Sequence, residues 1–176
     1  MTHARKATGS RRRIAPHPVR EARIAYGPKT GLESFVQQVN EAAPMAVLLT
    51  ERAGVHAQLL KDLARHMAIP ASRLFSILGI PKATAEKKIA AGEAIAGQGG
   101  QAAIGLVKLL GQAEAMAAGS TAADAAEFDA ARWLGRWIET AQPALGGKKP
   151  ADLLDTPTGL DMVSRLLGSI QSGAYQ

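Results

Sequence analysis

The chain has 176 residues, enough for one compact domain or two small ones. It is 47% hydrophobic but only 4% aromatic, so a core must be assembled from Leu, Ile, Val, Met and a great deal of Ala, which favours close-packed helices. Cysteine is absent, which excludes disulfide scaffolds, Cys-ligated zinc, iron–sulfur clusters and thiol catalysis and fits a reducing compartment.

No apolar run reaches the ~18 residues that suggest a membrane span, and no apolar stretch follows the charged N-terminus as a secretory signal would require. A cytoplasmic protein with no membrane contact is therefore expected. Residues 1–30 carry Arg5, Lys6, Arg11, Arg12, Arg13, Arg20, Arg23 and Lys29 against the single acid Glu21, a net charge of +7. The whole chain is +6, so residues 31–176 sum to −1. The basic character belongs to this arm, which also holds Gly9, Pro16, Pro18, Gly27 and Pro28 and has too little apolar surface to offset its ordering entropy. Phosphate contacts through Arg11, Arg12 and Arg13 are one use for such an arm. A solubilising tail and an Arg-rich presequence are others.

The first helical pattern is Leu32, Phe35, Val36, Val39 and Ala43, ending at Pro44. Met45–Thr50 is an apolar run of either type. Leu59, Leu60, Leu63 and Met67 place a second helix over His56–Met67, and Pro70 ends it. Leu74, Ile77 and Leu78 mark a third over Ala71–Leu78, stopped by Gly79 as a left-handed cap. A further short helix follows over Ala83–Ala91. Three short helices with a tight Gly79-Ile80-Pro81-Lys82 connection read as a helix-turn-helix, the second helix of which enters the DNA major groove. Its candidate DNA contacts are Lys82, Thr84, Lys87 and Lys88, with Ala85 and Ile89 turned to the core. A solvated lysine face on an ordinary helical bundle is the competing reading.

Residues 91–126 are rich in Ala and Gly. Ile104, Leu106, Val107, Leu109, Leu110 and Met116 predict a helix over Gln101–Ala118, with Gly97, Gly99 and Gly100 as a flexible loop before it. A helix starting near Thr121 follows, with Trp133 and Trp137 assigned to the core. Pro143 ends it. Gly147-Lys148 lacks the following Ser or Thr and the upstream Gly of a phosphate-binding loop. After a turn, a short helical segment is expected over Ala151–Leu154. Thr156-Pro157 is a helix start, and Leu160, Val163, Leu167 and Ile170 form one apolar stripe along the last helix. Asp161 and Arg165 pair across its outer face. The four histidines are dispersed, and no nucleophile, metal or paired-acid motif occurs, so an enzyme is not expected.

The run Trp133-Leu134, Gln142 through Leu145-Gly146-Gly147-Lys148-Lys149-Pro150, Leu153-Leu154-Asp155-Thr156, Gly159, Leu166-Leu167-Gly168, Ile170, Gly173 and Tyr175 resembles the toxin-binding domain of the Xre/MbcA/ParS-type antitoxins. Those proteins pair with RES-domain toxins. The resemblance covers about residues 125–176, and it departs at Lys149, where the family usually has Thr. Upstream, Ile77-Leu78-Gly79-Ile80, Thr84 and Lys87-Lys88 are similar to the family's Xre-like helix-turn-helix, which the chain leaves at Gln101 and Ile104, where charge is usual.

After the basic arm (1–30) read from its charge, the resemblance implies an all-α fold of an Xre-like helix-turn-helix bundle (31–120) and a small helical toxin-binding domain (121–176). It implies a type II antitoxin that binds and inhibits a RES-domain, NAD-consuming toxin and represses its own operon at operator DNA. The toxin-binding residues so implied are Leu145, Gly146, Gly147, Lys148, Arg165, Ile170, Tyr175 and Gln176. The last helix would offer its apolar stripe, and the tail, with Tyr175 and the terminal carboxylate, would block the toxin's active-site entrance; the competing reading has the last helix complete the antitoxin's own core and the tail fray. No cofactor is expected. A symmetric homodimer follows from the need to read two half-sites. The alternative is a stand-alone helix-turn-helix regulator without a toxin.

Overall fold

The computed structural model describes residues 22–27, 29–119 and 128–171. The fold is all-α, apart from one very short antiparallel ladder. The helices are α1 (Leu32–Glu41), α2 (Pro44–Ala53), α3 (Gln58–His66), α4 (Ala71–Ile77), α5 (Lys82–Ala91), α6 (Gly97–Ala118), α7 (Ala130–Ile138) and α8 (Pro157–Gln171), and strands β1 (Val55–His56) and β2 (Ala94–Ile95) pair with Val55 opposite Ile95.

The 22-residue α6 is apolar on nearly every side, which only a helix surrounded by others can sustain. Ala102, Ala103, Ile104, Leu106, Val107, Leu109, Leu110 and Ala113 are all buried. Helices α1, α2, α7 and α8 pack around it, while α3, α4 and α5 form a second layer joined to it through β1 and α1. One continuous cluster of buried side chains runs from Tyr26 to Leu167. Small residues set the spacing between the helices. A Cβ on Gly105 would lie 2.5 Å from Leu160 Cδ1 of α8, so glycine is what lets these helices approach. At Gly135 of α7, a Cβ would run into the backbone carbonyl of Met67 at the end of α3.

The α4, α5 and α8 patterns appear where the sequence places them, while α1 stops at Glu41 and leaves Ala43 exposed as the residue before α2. Gly79 and Gly92 take left-handed conformations, at φ 66° and 65°, as the C-terminal caps of α4 and α5. Thr156 caps α8, its Oγ1 accepting from Gly159 N at 3.1 Å. Met45–Thr50 resolves as helix, with Pro44 as the first residue of α2.

Several expectations are corrected. The α3 helix starts at Gln58, not His56. Val55 and His56 are pulled into the ladder with β2, and His56 Nδ1 accepts from Gln58 N at 3.1 Å. Gly97, Gly99 and Gly100 are the first turn of α6 and not a loop. Gly99 lies against the Ile80 side chain and Gly100 against the Ile95 carbonyl, a Cβ on either falling 2.5 Å from them, so close packing explains these two, whereas Gly97 has open space and a left-handed φ of 66°. The expected start near Thr121 lies outside the described residues; α7 begins at Ala130, with Asp129 Oδ1 accepting from Arg132 N at 2.9 Å. Ala151–Leu154 reduces to a 3-10 turn over Pro150–Asp152.

The contrast between two glycines makes this packing testable. Gly135→Ala is expected to destabilise the fold by about 1–3 kcal/mol through overpacking. Gly146→Ala, where nothing lies within 4 Å but φ is 65°, is expected to cost about 1–2 kcal/mol, from the left-handed backbone alone. Urea unfolding measures both. Grafting Ala for Met67 should relieve neither variant, because the obstruction at Gly135 includes the backbone carbonyl.

Candidate functional site

Two surfaces carry the residues singled out in the sequence. The first is the α4–α5 unit. Its turn is closed by Gly79 N donating to Ser76 O at 3.1 Å and Ile80 N to Phe75 O at 2.8 Å, a Schellman-type ending. Fully buried Ala85 seats α5, Ile89 is half-buried, and Lys82, Thr84 and Lys87 are exposed. Lys82 lies 3.8 Å from Glu86 one turn along, a contact that water largely screens. Lys87 has no ion-pair partner among the described residues. Lys88 is the exception in this set: its ammonium is 3.3 Å from Glu93 and donates to Ala94 O at 3.0 Å, fastening α5 to β2.

Arg11, Arg12 and Arg13 lie outside the described residues, but the root of the arm is placed. Ile24 N donates to Thr50 Oγ1 at 2.8 Å, and Tyr26 Oη donates to Asp62 Oδ2 at 2.6 Å while its ring meets Phe35 edge-on at 4.9 Å. Burial and the bond to Asp62 push the Tyr26 phenol up, so it stays a donor. Tyr26 and the end of α5, Ile89–Gly92, line one groove of about 900 Å³. Tyr26 thus borders the end of α5, while Ile24, nearer the arm, is fastened to Thr50 of α2.

The second surface is the turn after α7. Gly147 N donates to Gln142 O, and Gln142 N to Lys148 O, both at 3.0 Å. Gly146 and Gly147 have φ of 65° and 78° with open space around them, which makes glycine a backbone requirement there. Leu145 is half-buried against the core, and Lys148 is exposed. Arg165 is exposed on α8, with Nη2 2.9 Å from Asp161 Oδ2 as the spacing predicts, and Ile170 is half-buried farther along. Among the described residues no hydrogen bond or ion pair joins the glycine turn to Arg165 or Ile170. Tyr175 and Gln176 lie outside the described residues.

The apolar stripe of α8 is not offered outward. Val163 and Leu167 are fully buried and Leu166 nearly so, against α6, which leaves Asp161, Met162 and Arg165 exposed. The surface that faces out is aromatic and lies on α7. Trp133 and Trp137, assigned to the core from their spacing, are only half-buried; they stack on each other at 5.9 Å with planes 13° apart. Phe128, 42% exposed, joins at 5.8 Å from Trp133. The signal was available: Trp133 and Trp137 each follow an arginine, Arg132 and Arg136, and a side chain so hemmed in by charge belongs near a boundary. Sequence reasoning missed Arg73 and Glu139, and it named Lys149 only as a departure from the family. Arg73 Nε is 2.6 Å from Glu139 Oε1, and Lys149 Nζ is 3.3 Å from Glu139 Oε2.

Residues 121–173, which contain α7, the glycine turn and all of α8, match the family described as the antitoxin Xre/MbcA/ParS C-terminal toxin-binding domain. The chain is also 38% identical over 154 residues to a protein of Sphingobium sp. (strain YBL2) named Prs ADP-ribosylating antitoxin, a match covering 88% of this chain and 95% of that one. The chain belongs to the Xre/MbcA/ParS-type antitoxins. As an antitoxin of a toxin–antitoxin system it has a cognate toxin as partner. No helix among the antitoxin's described residues is long and apolar enough to cross a membrane.

Among the described residues, one carboxyl group of the antitoxin body is pushed upward. Glu114 on α6 is raised by burial, and further by the facing carboxylate of Glu33 on α1. A carboxyl whose folded value lies above its unfolded one binds protons more readily in the folded state, so its ionisation opposes folding above that range and ceases to do so as pH falls. Glu114→Gln is expected to raise the melting temperature at pH 7.5 by about 1–2 °C, with the gain vanishing towards pH 4. Calorimetry at the two pH values checks it.

Proposed function

We propose that this antitoxin binds and inhibits a RES-domain toxin that takes ADP-ribose from NAD, and that it represses its own operon through α4–α5 and the basic arm. The observation that carries the reading is the toxin-binding match over residues 121–173, together with a relative whose name couples an antitoxin to ADP-ribosylation. ADP-ribosylation consumes NAD, and in this reading that chemistry belongs to the toxin. The antitoxin itself is not an enzyme and needs no cofactor. The pair is of type II, protein against protein, and works in the cytoplasm.

The division of labour follows the chain. Residues 31–120 with the arm 1–30 serve DNA, and residues 121–176 serve the toxin. On the toxin side, the Phe128–Trp133–Trp137 stack supplies what protein interfaces concentrate, large rigid aromatic area with arginine at its edge. In this reading the glycine turn Leu145–Lys148, Arg165 and Ile170 also touch the toxin, and Tyr175 with Gln176 reach its active-site entrance. On the DNA side, Lys82, Thr84 and Lys87 lie on the exposed face of α5, Lys88 fixes the helix to β2, and Arg11, Arg12 and Arg13 add phosphate contacts. A homodimer presents two such helices to two half-sites.

Growth and cellular NAD, followed in bacteria expressing the enzyme encoded beside this gene, test the reading. Co-expression of the antitoxin is expected to restore both, and Trp133→Ala/Trp137→Ala to lose at least about 2 kcal/mol of toxin affinity. If both proteins accumulate and neither growth nor NAD recovers, the toxin reading is wrong and a stand-alone regulator takes its place. Inhibition by a chain ending at Gly168 equal to that of the full chain would remove the role of Tyr175 and Gln176. For the DNA side, Lys87→Gln is expected to weaken binding to promoter duplex and lower the log–log salt slope by about 1. An unchanged slope would take α5 off the DNA.

A further inference from the structure

Arg73 lies on α4, the first helix of the helix-turn-helix, where a half-exposed arginine would ordinarily be assigned to a DNA phosphate. Its guanidinium faces the other half of the molecule. Nε lies 2.6 Å from Glu139 Oε1, Nη2 lies 3.1 Å from Oε2, and Nη2 is also 3.8 Å from Asp152 Oδ1. This is the two-pronged fork by which arginine fixes a carboxylate in orientation as well as position.

Glu139 is the residue that ends α7, and its Oε2 also takes Lys149 Nζ at 3.3 Å. Glu139 and Lys149 thus bracket the turn that holds Gly146 and Gly147, and Arg73 holds the bracket from α4. The turn is closed by its own backbone hydrogen bonds and touches the core through half-buried Leu145, but within 142–148 no side chain is fully buried, and both glycines stand in open space. The hydrogen bond from Arg73 is the chief reason that the Glu139 carboxyl is held below the usual carboxylate range, and Lys149 lowers it further. Two cations and two carboxylates, Arg73, Lys149, Glu139 and Asp152, balance locally, so the cluster offers a phosphate no net charge.

We propose that Arg73 is a positioning residue of the toxin-binding surface and not a DNA contact: its fork on Glu139, and through Glu139 the hold on Lys149, presents the glycine turn in the orientation that the toxin binds. This rests on the reading that the turn faces the toxin. It assigns to the toxin side a residue that lies some fifty positions before the matched segment.

The test uses the full chain, the enzyme encoded beside its gene, and duplex DNA spanning its own promoter. By titration calorimetry, Arg73→Gln is expected to weaken toxin binding about tenfold, and Arg73→Lys about threefold, since a point charge keeps the attraction but loses the fork. Glu139→Gln should match Arg73→Gln, and the double variant should be no worse than either alone, because they remove one interaction. DNA affinity and its salt slope should stay within about twofold of the parent's. In the free chain, the amides of Gly147 and Lys148 should exchange faster in Arg73→Gln.

A lowered DNA salt slope with unchanged toxin affinity would make Arg73 a phosphate contact and overturn the proposal. Equal loss of both affinities with a lowered unfolding midpoint would reduce it to general stability and overturn it too. If the parent chain does not bind the enzyme at all, it is the toxin reading that fails. In that case, unchanged exchange at Gly147 and Lys148 would also remove the role of Arg73 in fixing the turn.

Discussion

The structure depends on the complete enclosure of α6. Each fully buried leucine contributes about 1.5–3 kcal/mol relative to exposure, and α6 places Ile104, Leu106, Leu109 and Leu110 where none reaches solvent appreciably. Exposed ion pairs contribute about 0–1 kcal/mol each, so surface charge cannot substitute for that burial. What allows a 22-residue helix to be covered by four others is its alanine and glycine content. Gly105 admits Leu160 of α8, and the glycines of its first turn admit Ile80 and the Ile95 carbonyl. The same enclosure explains why the middle of the α8 stripe, Val163 and Leu167, is spent on the core, while the half-buried aromatics lie on α7.

Much of the fold was legible because local signals and tertiary packing agree. Leu32, Phe35, Val36 and Val39 all became the buried side of α1. Gly79, Gly92 and Thr156 sit at helix ends as their chemistry requires. Legibility ended where tertiary contact overrides a local rule. A Gly-rich stretch reads as a loop until Ile80 and Ile95 are seen pressed against it. Val55 and His56 look like the start of a helix until a distant partner, Ala94–Ile95, draws them into a ladder. The stripe of α8 was read correctly as a stripe, but periodicity cannot say which side of the molecule will cover it.

The candidate site divides in the same way. The glycine turn was readable because Gly146 and Gly147 have to adopt positive φ within a specific motif. The exposed lysines of α5 were readable from helical spacing, which distinguishes Ala85 from its neighbours. The Arg73–Glu139 fork was not, since its partners are 66 positions apart and no local pattern ties them. Lys88 looked equivalent to Lys87, and only the carbonyl of Ala94 and the carboxylate of Glu93 separate them.

The central claim is that the aromatic face of α7 and the glycine turn carry the toxin, while α5 stays open for DNA. Hydrogen–deuterium exchange of the full antitoxin, alone and saturated with the enzyme encoded beside its gene, tests it most directly. The account predicts new protection over α7 and the 142–149 turn and none over α5. Protection confined to α3–α5, with α7 and the turn exchanging as in the free chain, would contradict it.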